Sequence, residues 1–126
     1  MSDCRTLFMI LVAVDDLMFA SRISTAAKAV GAAIQFTRSV ESVLTAARGA
    51  TPSLVILDLN SARTQPLAIV AALRNDPALA AVPTVGFVSH VDTATIEAAR
   101  QAGVGRVLAR SAFVDQLPQI LAPSVP

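Results

Sequence analysis

The chain has 126 residues, 54% of them hydrophobic, and its ten basic and nine acidic residues leave a formal net charge of +1. That length suits one domain around a single buried core, and no apolar run approaches the roughly 20 residues a bilayer span needs. The basic residues are scattered, with no stripe interleaved with aromatics, which argues against direct nucleic-acid binding; we expect a cytoplasmic protein with no membrane contact.

The first apolar run, LFMILVAV at 7–14, is short, partly β-branched and cut off by Asp15 and Asp16, and it reads as a strand. Phe19, Ile23, Ala26 and Val30 then recur at helical spacing, and Gly31 ends that helix. AAIQF at 32–36 is a second strand, followed by a helix carrying Val40, Val43, Leu44 and Ala47 and closed by Gly49 and Pro52. LVIL at 54–57 is the third strand. Pro66 stands at the start of a third helix with Leu67, Val70 and Leu73 on its core face, stopping near Asp76 and Pro77. VPTVGFV at 82–88 is the fourth strand, and Ile96, Ala98 and Ala99 mark a fourth helix capped by Gly103. RVLA at 106–109 is the fifth strand, and Phe113, Leu117, Ile120 and Leu121 line a fifth helix interrupted by Pro118. Strict alternation, with strands that read as apolar runs buried on both faces, predicts one doubly wound, three-layer α/β domain with a parallel sheet. The tail APSVP reads as frayed.

Cys4 is the only cysteine, which excludes an internal disulfide and a multi-cysteine metal site. It reads as incidental, and His90, the only histidine, reads as a loop residue. With no second cysteine or histidine, a histidine-rich metal site or a Cys/His hydrolase has nothing to build on.

The carboxylates carry the chemistry. In an open parallel sheet, ligands bind at the C-terminal ends of the strands. VILDLN ends the third strand on Asp58, and VDD ends the first on Asp15 and Asp16. In strand order 2-1-3-4-5 the first and third strands are neighbours, so three carboxylates converge on one pocket. Either Asp15 or Asp16 alone could be a helix N-cap. The pair together with Asp58 points instead to a cation, and an oxygen-only donor set favours a hard ion such as Mg²⁺. Ser89 follows the fourth strand and Arg110 the fifth. Taken singly these read as a loop cap and a surface charge. Beside a metal-bound carboxylate, a hydroxyl and a cation make a phosphoryl site. A nucleotide- or flavin-binding enzyme lacks support, because DDLMFAS follows the first strand where a glycine-rich phosphate loop would stand.

LVAVDD, VILDLN, FVSH and QAGVGRVLARSAF together resemble the receiver domain of bacterial two-component response regulators, over about residues 7–121 of a single domain spanning 1–126. The resemblance implies a flavodoxin-like (βα)5 sandwich and a signalling role without enzymatic turnover, beyond assisting its own phosphorylation and dephosphorylation. It implies a phosphoryl group accepted on Asp58 from a sensor histidine kinase or phosphotransfer protein. Mg²⁺ would be bound by Asp16, by Asp15 largely through water, by Asp58 and by the backbone carbonyl of Asn60. Ser89 and Arg110 would meet the phosphoryl oxygens. A downstream protein partner would read the face made by helix four, strand five and helix five, and that face is compatible with a homodimer. Four departures stand out: Arg110 for a lysine, Ser111 for the proline after it, Ala62 and Pro66 in the loop after Asp58, and Val107 for a switching aromatic. A phosphorylation-independent pseudo-receiver is the alternative reading. Relief of carboxylate repulsion predicts that removing Asp15 or Asp16 raises metal-free stability, and that losing Asp16 weakens Mg²⁺ binding more.

Overall fold

The computed structural model describes residues 9–89 and 92–122; Cys4, His90, the start of the first predicted run and the end of the tail lie outside them. Ten elements alternate: β1 (Met9–Ala13), α1 (Leu17–Val30), β2 (Ala33–Thr37), α2 (Val40–Gly49), β3 (Leu54–Asp58), α3 (Pro66–Asn75), β4 (Thr84–Val88), α4 (Thr93–Ala102), β5 (Arg106–Ala109) and α5 (Arg110–Leu121). The strands form one parallel sheet in the order β2-β1-β3-β4-β5. Side-chain alternation sends Ile10, Val12, Ile56, Val85 and Phe87 toward α1 and α5. It sends Leu11, Val55 and Leu57 toward α2, α3 and α4, where Val43, Ala47, Ile69, Val70, Leu73 and Ala99 meet them. The expected three-layer α/β sandwich is therefore the observed one.

The helix ends follow local chemistry. Gly31 and Gly103 cap α1 and α4 with φ of 73° and 105°, the left-handed region that glycine enters without a Cβ penalty. Pro66 opens α3, and Ser39 and Ser42 form a reciprocal capping box at α2.

Several details differ from the sequence reading. On α1 the third core residue is Ala27, with Ala26 and Val30 only half-buried. On α3 the inward face is Pro66, Ile69, Val70 and Leu73, which leaves Leu67 exposed one step round the helix. α5 runs through Pro118 without interruption. Pro118 is exposed and costs one N–H donor, while Leu117 and Leu121 stay buried and hold the helix to the sheet. Burial on both faces holds for β1, β3 and β4. The edge strands β2 and β5 have a neighbour on one side only; β2 is largely exposed and β5 is mostly half-buried.

Gly86, in the middle of β4, makes room for Leu59, the residue after Asp58. A Cβ at Gly86 would stand 2.7 Å from Leu59 Cδ1 and 2.8 Å from its Cγ. Leu59 is buried and cannot retreat without disturbing the α4-side core. Gly86→Ala is expected to lower unfolding free energy by about 1–3 kcal/mol in a urea titration. A neutral result would mean that Leu59 has a second rotamer at no cost.

Candidate functional site

Each carboxylate at the C-terminal edge has its own local job. Asp58 is the last residue of β3, half-buried and in register with Phe87 on β4. One of its oxygens, Oδ1, accepts the Asn60 N–H at 3.0 Å, and no hydrogen bond reaches Oδ2 among the described residues. Burial pushes its carboxyl above the ordinary 3.8; the Asn60 N–H and the Arg110 charge pull the other way, and the charges of Asp16 and Asp15 add to the rise.

Asp16 is the N-cap of α1. Its Oδ1 accepts from Met18 N–H at 2.9 Å and from Phe19 N–H at 3.2 Å, and its Oδ2 lies 3.4 Å from Arg110 Nη2. The Phe19 N–H above all, with Met18 and Arg110, holds this carboxyl below 3.8 despite some desolvation. The local N-cap role and the strand-end position are thus both realised in one residue. Asp15 is half-buried, and its Oδ2 lies 3.8 Å from Nε of Arg63. The Arg63 side chain is 84% exposed, so that pair contributes little.

Arg110 follows β5 as expected. It is the first residue of α5, directly after Ala109, and every peptide among the described residues is trans, Arg110–Ser111 included. A cation at a helix N-terminus opposes the helix dipole. Two contacts offset that: the ion pair to Asp16, and the Phe19 ring, whose centroid lies 4.2 Å from the guanidinium carbon. Phe19 is itself fixed against Phe87 (4.7 Å) and Phe113 (5.8 Å), which stack on each other at 4.7 Å between centroids.

Ser89 follows β4 and is exposed. Its N–H donates to Asn60 Oδ1, tying the loop after β3 to the end of β4. Val88, the last residue of β4, is buried in the core beneath α2, α3 and α4. A cavity of about 800 Å³ lies beside Ser89 and is lined by Asp16, Phe19, Arg22, Ser89, Arg110 and Ser111 among others. In the loop after Asp58, Gln65 takes a left-handed φ of 51° and Thr64 is buried, its hydroxyl without a partner among the described residues. Val107 is half-buried against the α4-side core, opposite Gly86.

The structure brings Asp16 and Arg110 together, sets Asp58 within their electrostatic reach, and links Asn60 to Ser89. It does not gather the three carboxylates into a ready ligand group; no three Asp, Glu, His or Cys side chains among the described residues are so arranged. The oxygen-only donor chemistry suits a hard divalent cation. In the arrangement seen, however, both Asp16 oxygens are occupied, one by the helix cap and one by Arg110. Sequence reasoning missed Arg63, and it missed Phe19 as a platform for Arg110. Phe19 stands three residues after Asp16, and that spacing was the one available signal.

The expectation that losing Asp16 raises metal-free stability has this geometry against it, because the residue caps a helix and pairs with a cation. Asp16→Ala is expected to melt below the parent near pH 7. Its depressed folded-state pKa places that contribution above the ordinary Asp value and removes it as pH falls through the lower folded value, so the deficit shrinks in acid. Melts at or above the parent near pH 7 would show that repulsion among the carboxylates outweighs the cap.

No family model and no curated protein matches the chain. Solved structures do. A response regulator from Hahella chejuensis aligns at 20% identity and a TM-score of 0.80, covering 90% of this chain and 91% of its own. The phosphorylated cyanobacterial phytochrome response regulator RcpA aligns at 22% identity and a TM-score of 0.76, covering 91% and 89%. The Mn²⁺-bound form of the response regulator Rcp1 aligns at 15% identity and a TM-score of 0.75, covering 94% and 98%. The chain has the fold of response-regulator receiver domains over most of its length. No helix among the described residues is long and apolar enough to cross a membrane.

Proposed function

We propose that the protein is a signal-transduction receiver that accepts a phosphoryl group on Asp58. The observation that carries this is the half-buried carboxylate at the end of β3, with one oxygen engaged by Asn60 N–H and the other without a hydrogen bond among the described residues, beside Arg110 on a receiver fold. Its raised pKa leaves a more basic carboxylate oxygen, which is a better nucleophile. Oδ2 would attack phosphorus: an O–P bond forms as the P–N bond to the donor imidazole breaks, and the electron pair leaves on that nitrogen, which takes up a proton. Asp15, Asp16, Asp58 and the Asn60 carbonyl would hold Mg²⁺, which when bound supplies positive charge against the phosphoryl oxygens. Arg110 and the Ser89 hydroxyl would bind those oxygens on the other side. The phosphodonor would be a sensor histidine kinase or phosphotransfer protein in a bacterial cytoplasm. A downstream protein, or a second copy, would read the face of α4, β5 and α5. Val107 offers no large side chain to swing there, so the signal would pass through Ser89 and its hydrogen bond to Asn60 in the loop after β3.

A pseudo-receiver is the second reading, favoured by one observation: Arg110 is already held by Asp16 and Phe19. Intact-protein mass spectrometry after incubation with a small phosphodonor separates the two. A Mg²⁺-dependent gain of one phosphoryl group supports the active receiver. No gain, under conditions that label a control receiver, leaves the pseudo-receiver.

A further inference from the structure

We propose that Arg110 is the built-in occupant of the divalent-cation position on Asp16, and that cation binding and release of Arg110 from Asp16 are a single exchange. This rests on the metal-assisted receiver reading and deepens it.

The argument starts from counting oxygens. Oδ1 of Asp16 accepts two backbone N–H groups that begin α1, and freeing it would uncap the helix. That leaves Oδ2, where Arg110 Nη2 already sits at 3.4 Å. A magnesium ion bonds a carboxylate oxygen at about 2.0–2.1 Å, so one on Oδ2 would place its two charges within a few ångströms of the guanidinium. Sharing that oxygen would crowd three positive charges together, so the ion and the guanidinium compete for it.

Arg110 is also seated rather than dangling. Its planar group lies over Phe19, and Phe19 is fixed by Phe87 and Phe113. A compact ammonium has no flat face to stack in this way. The arginine therefore gives the site a resident cation held by two contacts, and an incoming ion has to displace it from one of them. The released group has somewhere to go: the cavity beside it reaches Ser89, and the Arg110 charge already acts on Asp58. A divalent ion would then both occupy Asp16 and free Arg110 for the phosphoryl oxygens.

The test is a Mn²⁺ and Mg²⁺ titration by calorimetry of the parent, Arg110→Gln and Arg110→Lys, with thermal melts to verify folding. Arg110→Gln is expected to bind either ion about three- to tenfold more tightly than the parent, the size for removing one partly screened charge. Arg110→Lys, which keeps the charge and loses the stack, should fall between. In parallel, Mg²⁺ should shift the Phe19 ring resonances of the parent by NMR and leave those of Arg110→Gln nearly unmoved. Equal or weaker binding by Arg110→Gln overturns the exchange while leaving a metal site in place. Absence of binding by all three chains overturns the metal part of the receiver reading, and the exchange with it.

Discussion

Replacing Arg74 by alanine is expected to lower the unfolding free energy by about 2–4 kcal/mol. Arg74 sits in the last turn of α3, and all five of its N–H donors are used. Nη1 donates to the carbonyls of Ala80 (2.7 Å) and Val82 (3.0 Å). Nη2 donates to Gly103 O (2.9 Å) and Thr84 Oγ1 (3.2 Å), and Nε donates to Gly103 O (3.3 Å). Thr84 Oγ1 in turn accepts the Gly105 N–H at 2.7 Å. One guanidinium thus ties the end of α3 to the loop before β4 and to the turn between α4 and β5. Its removal strips these carbonyls of a charged donor in a half-buried place. A lysine cannot reproduce the fan of five donors, so Arg74→Lys should recover less than half of the loss. Hydrogen exchange should show lost protection at residues 79–84 and 103–106, with little change near Asp58. An unfolding free energy from urea titration within about 0.5 kcal/mol of the parent would sink this account.

That clasp also shows what kind of information a sequence conceals. Helix ends, strand runs and the strand-end carboxylates were legible because each is a local matter. Gly31 and Gly103 stop helices through their own backbone freedom, and Pro66 starts one because its missing N–H is not needed there. Asp58 was legible as a lip residue because an apolar run stopped at it. Arg74 reaches partners as far as 29 residues along the chain, and no periodicity announces such a contact. The same holds for Arg110, whose partners Asp16 and Phe19 lie at the other end of the sequence. The stability expected of an Asp16 variant turns on a related point. Repulsion between carboxylates was visible from their shared position, but the N–H groups and the guanidinium that offset it appear only once α1 and α5 stand side by side.

Asp58→Asn is expected to have two effects of opposite character: loss of all phosphodonor labelling, and a gain in stability near neutral pH. Loss of labelling follows because an amide oxygen is a far poorer nucleophile than the carboxylate, and because Oδ2 is the atom that would form the bond to phosphorus. The gain follows from burial. Burial above all raises the Asp58 carboxyl above its ordinary value, so the folded chain holds its proton more tightly than the unfolded chain does. Stability from that proton is fully present below the unfolded value and is lost as pH rises through the folded one. At neutral pH the ionised group therefore weighs against the fold, and a neutral isostere removes the burden while its oxygen can still accept the Asn60 N–H. Urea unfolding of parent and Asp58→Asn near pH 7 and near pH 3 should show the advantage of the variant shrinking in acid. Asp16→Ala should lie on the other side of the parent near neutral pH, so the two carboxylates carry opposite signs within one site. This ordering distinguishes a carboxylate kept for its chemistry at a cost to the fold from one that the fold itself uses. If Asp58→Asn proved less stable than the parent near neutral pH, contacts of the ionised carboxylate would outweigh its burial, and Asp58 would be a structural group first. Labelling of the variant to the level of the parent would remove Asp58 as the acceptor altogether.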